Sequence, residues 1–566
     1  MRALKSPRHL IIALLIGGAC AAAAANIGPD DRQVSFTGAP GTDNSDAVTP
    51  ALAFDSVNQR YLLVWSADET DGDFHIYGQL LTGAAGASIG PSFLISSSGP
   101  ADTDHRQPAV AFSPTHSQYL VIWSSDATNP GAYEIVGQVI NPDGQLVGPT
   151  HRYSDMGSND TDPAFDAVTP DLAFHPFLNE FVVAWAADDD LGALTDGRFE
   201  VYGQLVDGAT GAELGANDFR ITYSQADDMG NDVLEPSVAV HPDSDRWFVA
   251  FEGDINDDGV HDPEIWMYGC STDIPDASAA NLSNMGGSLF DGISARNPDL
   301  AWVPSSGELI CVWDADASGL SFQGIYGQRL LPDGTLVGGM ISFQAAGATP
   351  SNVLREAIEP TIVIDPISDE WFVAWRSDLN DGLPHFDHEI WARRFNDVGV
   401  AIGAAALKLS DMDPSLGPVA GAGAPAVAVN SIHGYKMIAW SGDTDITPGD
   451  EHEIFVQGWA DNGVTPVGET PAAIGFDLHG AAPNPFNPST TIAFNLPAAE
   501  PVTLKIFDPS GRLVRTLLNN DPGLAGRNEV TWNGRDLGGR NAASGVYLYL
   551  LETPSNRATG RMTLMK

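Results

Sequence analysis

The stretch "YLLVWSADETDGDFHIYGQLL", residues 61–81, decides the fold because its pattern returns further along the chain. Residues 119–140 read "YLVIWSSDATNPGAYEIVGQVI", and residues 181–206 read "FVVAWAADDDLGALTDGRFEVYGQLV". A segment that recurs at a regular spacing is usually a structural module, since one active site rarely needs the same segment several times. The stretch therefore predicts a repeat protein.

Seven repeats can be aligned, each headed by a proline and separated from the next by 58 to 66 residues. A short alternating run follows each proline, and the third residue after it is alanine in six repeats. Proline can open a strand without losing a ladder hydrogen bond, so we assign this run to a strand A. The seven prolines are Pro50, Pro108, Pro170, Pro236, Pro298, Pro360 and Pro425.

Three more strands are predicted in each repeat. A polar turn leads into an apolar run typical of a strand buried on both faces, strand B. An acidic loop, a strand C such as "HIYGQL", a Gly-rich turn and a weaker strand D follow. Strand B ends in an aromatic residue in every repeat: Trp65, Trp123, Trp185, Phe251, Trp313, Trp375 and Trp440.

Four strands per repeat make a small antiparallel sheet with two apolar faces, and stacking such sheets around an axis buries both. The sequence thus predicts an all-β seven-bladed β-propeller; a pair of β-sandwiches or a linear β-solenoid are the rival arrangements. Residues 32–38, "RQVSFTG", resemble a fourth strand without its repeat. We expect them to complete the seventh sheet and close the ring.

Composition predicts export from the cytoplasm and excludes some classes of partner. A basic start and the apolar run "IIALLIGGACAAAAA" predict a cleaved signal peptide at residues 1–25, followed by the propeller at 26–475 and a tail domain at 476–566. No later segment predicts a transmembrane helix.

The formal net charge is −47, and the tail holds nine basic and seven acidic residues. The excess of acidic residues therefore lies in the body, residues 26–475. Such a body repels nucleic acid and favours divalent cations or basic partners.

An aspartate lies three residues after each strand-B aromatic: Asp68, Asp126, Asp188, Asp254, Asp316, Asp378 and Asp443. A turn residue that accepts backbone N–H groups is the simple interpretation, and a ring of cation sites is the alternative. The best calcium candidate is "DINDDGVHDPEI", residues 254–265, although Ile265 stands where a calcium loop has Glu. The metal ligands predicted there are Asp254, Asn256, Asp258 and Asp262.

The tail alternates apolar and polar residues between Gly and Asn turns, which predicts a small β-sandwich. Its segments "NPFNPSTTIAFNLP", "VTLKIFDPSGRLVRTL", "AGRNEVTWNGRD" and "SGVYLYLLE" resemble the C-terminal sorting domain of bacterial type IX secretion, of the FlgD-like Ig fold. The resemblance covers about 85 residues. The matching positions include Asn484, Pro485, Asn487, Pro488, Gly545 and Tyr547.

This resemblance implies a cellular location and a route of export. It implies Sec export, a partner in the type IX secretion machinery, and a final location outside the cell or on the outer surface of a Gram-negative-type bacterium. An Ig-like module without a sorting role is the alternative interpretation.

No nucleophile elbow, phosphate loop, dinucleotide fingerprint or paired-Cys metal spacing is present in the sequence, so no catalytic residue and no cofactor other than calcium is predicted. We therefore expect a non-enzymatic binding or adhesion protein with a glycan or protein ligand. The alternative is a hydrolase or lyase that acts on polysaccharide at the mouth of the propeller channel. Carboxylates, Tyr and Arg gathered in that channel would favour the enzyme, and a lining of small apolar residues would favour binding.

Overall fold

The computed structural model describes the chain in two compact units, Met1–Thr465 and Pro466–Lys566. The propeller and tail bounds predicted from the sequence, 26–475 and 476–566, stay predictions. The residues that the structure describes are 25–35, 46–68, 73–83, 85–96, 103–129, 131–156, 165–188, 198–223, 232–255, 263–283, 294–316, 323–344, 354–379, 388–411, 421–442, 452–460, 477–482, 486, 488–496, 500–509, 511–523, 526–538, 540–554 and 556–565.

Every regular element in the described part of the N-terminal unit is a β-strand, which confirms the all-β class. The strands are β1 (Ala25–Gln33), β2 (Ala47–Asp55), β3 (Arg60–Asp68), β4 (Phe74–Thr82), β5 (Ser88–Leu94), β6 (His105–Ser113), β7 (Gln118–Asn129), β8 (Ala132–Ile140), β9 (Leu146–Arg152), β10 (Ala167–His175), β11 (Glu180–Asp188), β12 (Phe199–Asp207), β13 (Glu213–Arg220), β14 (Leu234–Val240), β15 (Arg246–Gly253), β16 (Glu264–Ser271), β17 (Ile274–Pro275), β18 (Ala280–Asn281), β19 (Ala295–Val303), β20 (Glu308–Ala315), β21 (Gly324–Leu330), β22 (Leu336–Gln344), β23 (Leu354–Ile364), β24 (Trp371–Leu379), β25 (His388–Phe395), β26 (Ala401–Lys408), β27 (Ala426–Val429), β28 (Lys436–Gly442) and β29 (Glu453–Ala460).

These strands form seven antiparallel sheets among the described residues, one for each repeat of the sequence. In chain order, sheet 1 is β2-β3-β4-β5, sheet 2 is β6-β7-β8-β9, sheet 3 is β10-β11-β12-β13, and sheet 4 is β14-β15-β16-β17 with β18 also paired to β16. Sheet 5 is β19-β20-β21-β22, sheet 6 is β23-β24-β25-β26, and sheet 7 is β27-β28-β29-β1.

The recurrent "YGQ" phrase of strand C has a structural role in these sheets. In sheet 2 a Cβ on Gly137 would lie 2.5 Å from the ring of Tyr153, so only glycine admits this aromatic residue from the edge of the sheet. The buried Gln138 side chain donates to the Val139 and Val147 carbonyls at 3.1 and 2.9 Å. Because Val147 lies on β9, the glutamine fastens the weak outer strand to strand C.

The hydrophobic core is divided into seven clusters, and each cluster lies between two neighbouring sheets. The strand-B aromatic packs toward the preceding sheet: Trp123 lies in the cluster of sheets 1 and 2, and Trp185 in that of sheets 2 and 3. Trp65 lies with residues of sheet 7, so the last sheet is packed against the first. Each of the seven sheets therefore shares a hydrophobic cluster with two others.

The N-terminal strand joins sheet 7, as expected, although its bounds differ from those predicted. β1 pairs antiparallel with β29, with Asn26 opposite Trp459 and Gln33 opposite Phe455. The backbone N–H of Val34 donates to the Ile454 carbonyl at 2.7 Å. The predicted strand at 32–38 thus begins earlier, at residue 25, and residues 36–38 lie outside the described residues.

The C-terminal unit has two described sheets, β30-β31-β34 and β33-β32-β35-β36. Its core contains Trp532, whose ring centroid lies 5.0 Å from that of Tyr547. Two antiparallel sheets with an apolar core fit the small β-sandwich predicted for the tail. The seven strands are β30 (Asp477–Ala482), β31 (Thr490–Leu496), β32 (Glu500–Phe507), β33 (Leu513–Gly523), β34 (Gly526–Trp532), β35 (Gly545–Glu552) and β36 (Arg557–Leu564).

Candidate functional site

The first strand of sheets 1 to 6 contains a bulge at the repeat proline. In sheet 1 the pairing register shifts between Val48 and Ala51, and Pro50 lies inside the bulge. We expected strand A to open at the proline, but β2 begins three residues earlier. The residue before the proline has a positive φ of 49° to 54° in six sheets: Thr49, Gln107, Thr169, Glu235, Asn297 and Glu359.

This backbone conformation is costly for a residue with a side chain. A left-handed φ at a non-glycine residue costs about 1–3 kcal/mol and persists where surrounding structure enforces it, often at functional sites. It is also unusual directly before proline, which favours extended backbone at the preceding residue. Six repetitions of one strained turn therefore indicate a candidate functional region at the repeat prolines.

The six residues line one cavity of about 530 Å³, which we call the central cavity. All seven repeats contribute to it through the repeat proline and its neighbours. Four carboxylates lie along this lining, and all come from sheets 3 to 6; we call them the acidic arc. They are Asp171, Glu235, Asp299 and Glu359.

Two members of the acidic arc hold neighbouring sheets together. Asp299 accepts hydrogen bonds from the Ser237 hydroxyl at 3.0 Å, the Thr361 hydroxyl at 2.9 Å and the Ile362 N–H at 2.7 Å. It therefore links sheet 5 to sheets 4 and 6. Asp171 accepts the N–H of Val238 at 2.7 Å. Burial, with the charge of Asp299 in addition, raises the pKa of Asp171 to about 7.

The other two members differ in their charge environments. Enclosure by the cavity walls, followed by the charges of Glu252 and Glu359, raises the pKa of Glu235 to about 7. Glu359 instead pairs with the Arg376 guanidinium through both oxygens, at 2.7 and 2.6 Å. Arg376 thus places a positive charge against Glu359, whereas the charges that act on Glu235 are those of two carboxylates.

Two further carboxyl groups, behind the cavity lining, hold residues of the lining in place. Asp314 is fully buried and its Oδ1 accepts the Asn297 side-chain amide at 2.7 Å and the Glu359 N–H at 3.0 Å. Burial raises the pKa of Asp314 to about 7. Glu252 accepts the N–H of Asn297 at 2.9 Å. These contacts fix the backbone of two strained residues that face the cavity.

Sheets 1 to 3 present a different surface. A second cavity of about 380 Å³, which we call the rim pocket, shares Thr49 and Gln107 with the central cavity. Its lining includes Ser66, Phe74, Arg106, Ser124 and Tyr133 and contains no carboxylate. Four carboxylates therefore line the central cavity, whereas a tyrosine of β8 and an arginine of β6 line the rim pocket.

The recurrent aspartate after strand B acts as a turn residue in sheet 2. Asp126 accepts the N–H of Asp104 at 2.6 Å and the N–H of Gly131 at 3.0 Å. Of the predicted calcium ligands, Asp254 is described and buried; Asn256, Asp258 and Asp262 lie outside the described residues. Within those residues no group of three or more His, Cys, Asp or Glu side chains is placed to hold a metal ion. Calcium binding stays a prediction.

The predicted sorting motif is only partly described. Asn484, Pro485 and Asn487 lie outside the described residues, and Pro488 is exposed. Gly545 begins β35 with a φ of 152°. The hydroxyl of the buried Tyr547 donates to the Ala543 carbonyl at 2.7 Å, which closes the turn before β35. Tyr547 thus has a structural role in the C-terminal unit, and the sorting role of the motif stays a prediction.

Sequence reasoning missed one recurrent link between sheets. An aspartate four residues before the repeat proline accepts a backbone N–H from strand C of the preceding sheet. Asp104 accepts from Phe74 at 3.2 Å, and Asp166 accepts from Tyr133 at 2.8 Å. The phrases "DAVTP" at 46–50 and 166–170 carried this signal.

Within the described residues no helix is long and apolar enough to span a membrane.

Comparison with known proteins identifies the tail. The FlgD Ig-like domain family matches residues 470–555. The C-terminal unit therefore contains a FlgD Ig-like domain, as the resemblance implied, while a type IX sorting role is a separate proposal. A search of curated proteins gave no significant match.

Several solved structures are similar to the chain. A PL25 polysaccharide lyase, an ulvan lyase, is 10% identical, with 75% of this chain and 95% of that chain covered and a TM-score of 0.47. An α-L-arabinanase of Penicillium chrysogenum is 12% identical, with 62% and 92% covered and a TM-score of 0.40. A GH93 α-L-arabinofuranosidase of Fusarium graminearum is 13% identical, with 76% and 97% covered and a TM-score of 0.39.

The leading functional prediction, a non-enzymatic binding or adhesion protein, is wrong. The similar structures are enzymes that act on polysaccharides, the class of the alternative prediction. At these identities and TM-scores they assign no substrate and no site residue to this chain.

Proposed function

We propose that the N-terminal unit is a seven-bladed β-propeller enzyme that cleaves polysaccharide in the central cavity. The seven hydrophobic clusters support the propeller, since each sheet packs between two neighbours. A cavity lined by the start of the first strand of every repeat is what such a ring leaves at its axis.

One observation carries the enzymatic proposal: two cavity-lining glutamates lie in opposite charge environments. Burial and two neighbouring carboxylates raise the pKa of Glu235 to about 7, whereas the Glu359 carboxylate lies against the Arg376 guanidinium. Cleavage of a glycosidic bond by two carboxyl groups needs two such different environments, one for an acid and one for a charged partner. Binding alone would not require this difference between two neighbouring carboxyl groups.

In the proposed reaction Glu235 donates its proton to the leaving glycosidic oxygen as the C–O bond breaks. Glu359 stabilises the positive charge that develops on the sugar and takes a proton from the attacking water. The water oxygen bonds to the anomeric carbon, and the two products are a reducing end and a free hydroxyl. Asp299, whose oxygens already accept three hydrogen bonds, positions the sheets.

The test is release of sugar ends from a panel of polysaccharides by the full chain. Glu235→Gln and Glu359→Gln should each lower kcat by at least about a hundredfold, the usual contribution of an acid or base. Glu180→Gln, at the start of β11 and outside the cavity lining, is the matched control. Turnover that is unchanged by both central-cavity substitutions would refute this site. An unsaturated product that absorbs ultraviolet light would show that the enzyme is a lyase.

The proposal also includes export of the enzyme from the cell. A cleaved segment at 1–25, Sec export and type IX sorting by the C-terminal unit would deliver the enzyme to the cell surface or the medium. The FlgD Ig-like match supports the choice of domain. Removal of residues 476–566 should leave the protein in the periplasm of a host with type IX secretion; unchanged release into the medium would refute the sorting role.

A further inference from the structure

The rim pocket has a hydroxyl that nothing in the described residues satisfies. Ser124 lines the pocket, is only 1% exposed, and its Oγ has no hydrogen-bond partner in the described structure. A buried polar group without a partner costs about 1–3 kcal/mol, so a water or a ligand group is needed to satisfy it. A sugar hydroxyl can both donate to and accept from this oxygen.

The neighbouring lining offers a flat, partly apolar surface. The Arg106 guanidinium carbon lies 4.4 Å from the centre of the Phe74 ring, and Tyr133 lines the same pocket. Stacked planar groups present the kind of surface on which the C–H face of a sugar ring packs. Thr49 and Ser66 add hydroxyls whose oxygens lie 3.3 Å apart. The pocket therefore combines an apolar platform with hydroxyl groups, as a carbohydrate site does.

The charge in the pocket is already balanced. Arg106 is the one basic residue among the nine that line it, and both its Nε and one terminal nitrogen donate to Asp104 Oδ2, at 3.1 and 2.9 Å. The Tyr133 hydroxyl donates to the same oxygen at 3.1 Å. An incoming carboxylate or sulfate would have to compete with Asp104 for these donors and would face the acidic arc across the central cavity.

We infer that the rim pocket is the subsite that binds one uncharged sugar unit of the substrate, so that the enzyme takes neutral rather than uronic or sulfated polysaccharide. This inference rests on the proposed function for the cleavage site, although sugar binding in the pocket can be tested separately. Thr49 and Gln107 border both cavities, so a chain seated in the pocket continues toward the acidic arc.

A neutral substrate also restricts the reaction. A lyase removes the proton next to a uronic carboxylate, and that step needs a cation to neutralise the carboxylate. Arg106 is engaged by Asp104 and Arg376 by Glu359. Hydrolysis needs no such cation, because its acid and its charged carboxylate act on the glycosidic bond itself.

The experiment measures binding of the full chain to neutral arabinoxylan and to polygalacturonate by calorimetry, and then turnover of each. Ser124→Ala should weaken arabinoxylan binding about threefold to tenfold, the effect of one lost hydrogen bond. Phe74→Ala should weaken it about tenfold through loss of the platform. Matched controls occupy the same repeat positions outside the pocket: Ser441→Ala in sheet 7 and Phe199→Ala in sheet 3 should bind as the unaltered chain does.

The outcomes separate the subsite from the cleavage site. Loss of binding in the two pocket variants alone supports the subsite, even when no cleavage is found and the proposed function fails. Cleavage that depends on Glu235 while both pocket variants bind normally overturns the subsite and leaves the proposed function standing. Binding of polygalacturonate as tight as that of arabinoxylan overturns the neutral substrate, and so does failure to bind arabinoxylan at all.

Discussion

The buried ion pair between sheets 6 and 7 gives a sharp test of how the ring is held together. Lys436 Nζ lies 2.9 Å from Asp365 Oδ2, and the two side chains are 1% and 4% exposed. Burial alone would raise the pKa of Asp365, but the Lys436 ammonium holds that pKa below its usual value. Lys436→Met leaves the Asp365 charge buried without its partner, which should cost about 3–5 kcal/mol of unfolding free energy.

The assay is urea unfolding of the full chain followed by tryptophan fluorescence, at several pH values. Because the folded pKa of Asp365 is lowered, the ion pair contributes stability above the unfolded pKa of about 4 and loses it as pH falls through the folded pKa. The gap between Lys436→Met and the unaltered chain should therefore narrow in acid, and adding Asp365→Asn should recover part of the loss at neutral pH.

A control removes an exposed charge instead. Asp411→Asn takes away the partner of Lys408 that is 77% exposed and should cost less than about 1 kcal/mol. A loss below about 1 kcal/mol for Lys436→Met, or a gap that stays constant into acid, would refute the reasoning that this pair is desolvated and ionised.

Three further predictions concern activity and packing. In the proposed reaction Glu235 is the acid, and its pKa is about 7, so turnover should fall as pH rises through that value; a flat profile would exclude Glu235 as the proton donor. Gly137→Ala places a Cβ 2.5 Å from Tyr153 and should cost about 1–3 kcal/mol in urea unfolding, whereas Gly339→Ala, with no atom near its Cβ, should cost less than about 0.5 kcal/mol. Tyr547→Phe removes a hydrogen bond to a backbone carbonyl and should destabilise the C-terminal unit by about 1 kcal/mol, seen as a lower urea midpoint; an unchanged midpoint would contradict it.

The elements of this fold could be predicted from the sequence because each is decided locally. A run such as 61–65 is apolar at every position, and the structure buries all five residues in β3. The tail segment "TTIAFNL" corresponds to β31 with the same bounds, Thr490–Leu496. Alternation and turn residues act over a few positions, so one sequence is enough to read them.

The candidate site could not be predicted because it depends on a turn that the local rules oppose. A residue before proline is expected to be extended, and strand A was expected to open at the proline itself, so the sequence predicted no site at Glu235 and Glu359. The bulge places them instead inside strands, facing the cavity. The many acids of the loops after strand B also drew attention, although Asp126 in one such loop only holds a turn. Local charge density thus did not predict the carboxyls that line the central cavity.

The symmetry of the repeat offers a better guide. Seven copies of one backbone give every position seven equivalents, and a residue needed for folding should be the same kind of residue in all of them. The aromatic residue at the end of strand B meets that condition. The residue directly after it does not, because it is small or hydroxylic in four repeats and charged only in sheets 4, 5 and 6, as Glu252, Asp314 and Arg376.

The same break in symmetry occurs before the repeat proline, where acids stand only in sheets 4 and 6, as Glu235 and Glu359. Both positions therefore carry a charged residue in sheets 4 and 6. Glu359 pairs with Arg376. Asn297 contacts Glu252 through its N–H and Asp314 through its side-chain amide. Packing between sheets demands no such charges, since the other four sheets pack without them. The charged residues in sheets 4 to 6 therefore support the proposed chemistry in the central cavity.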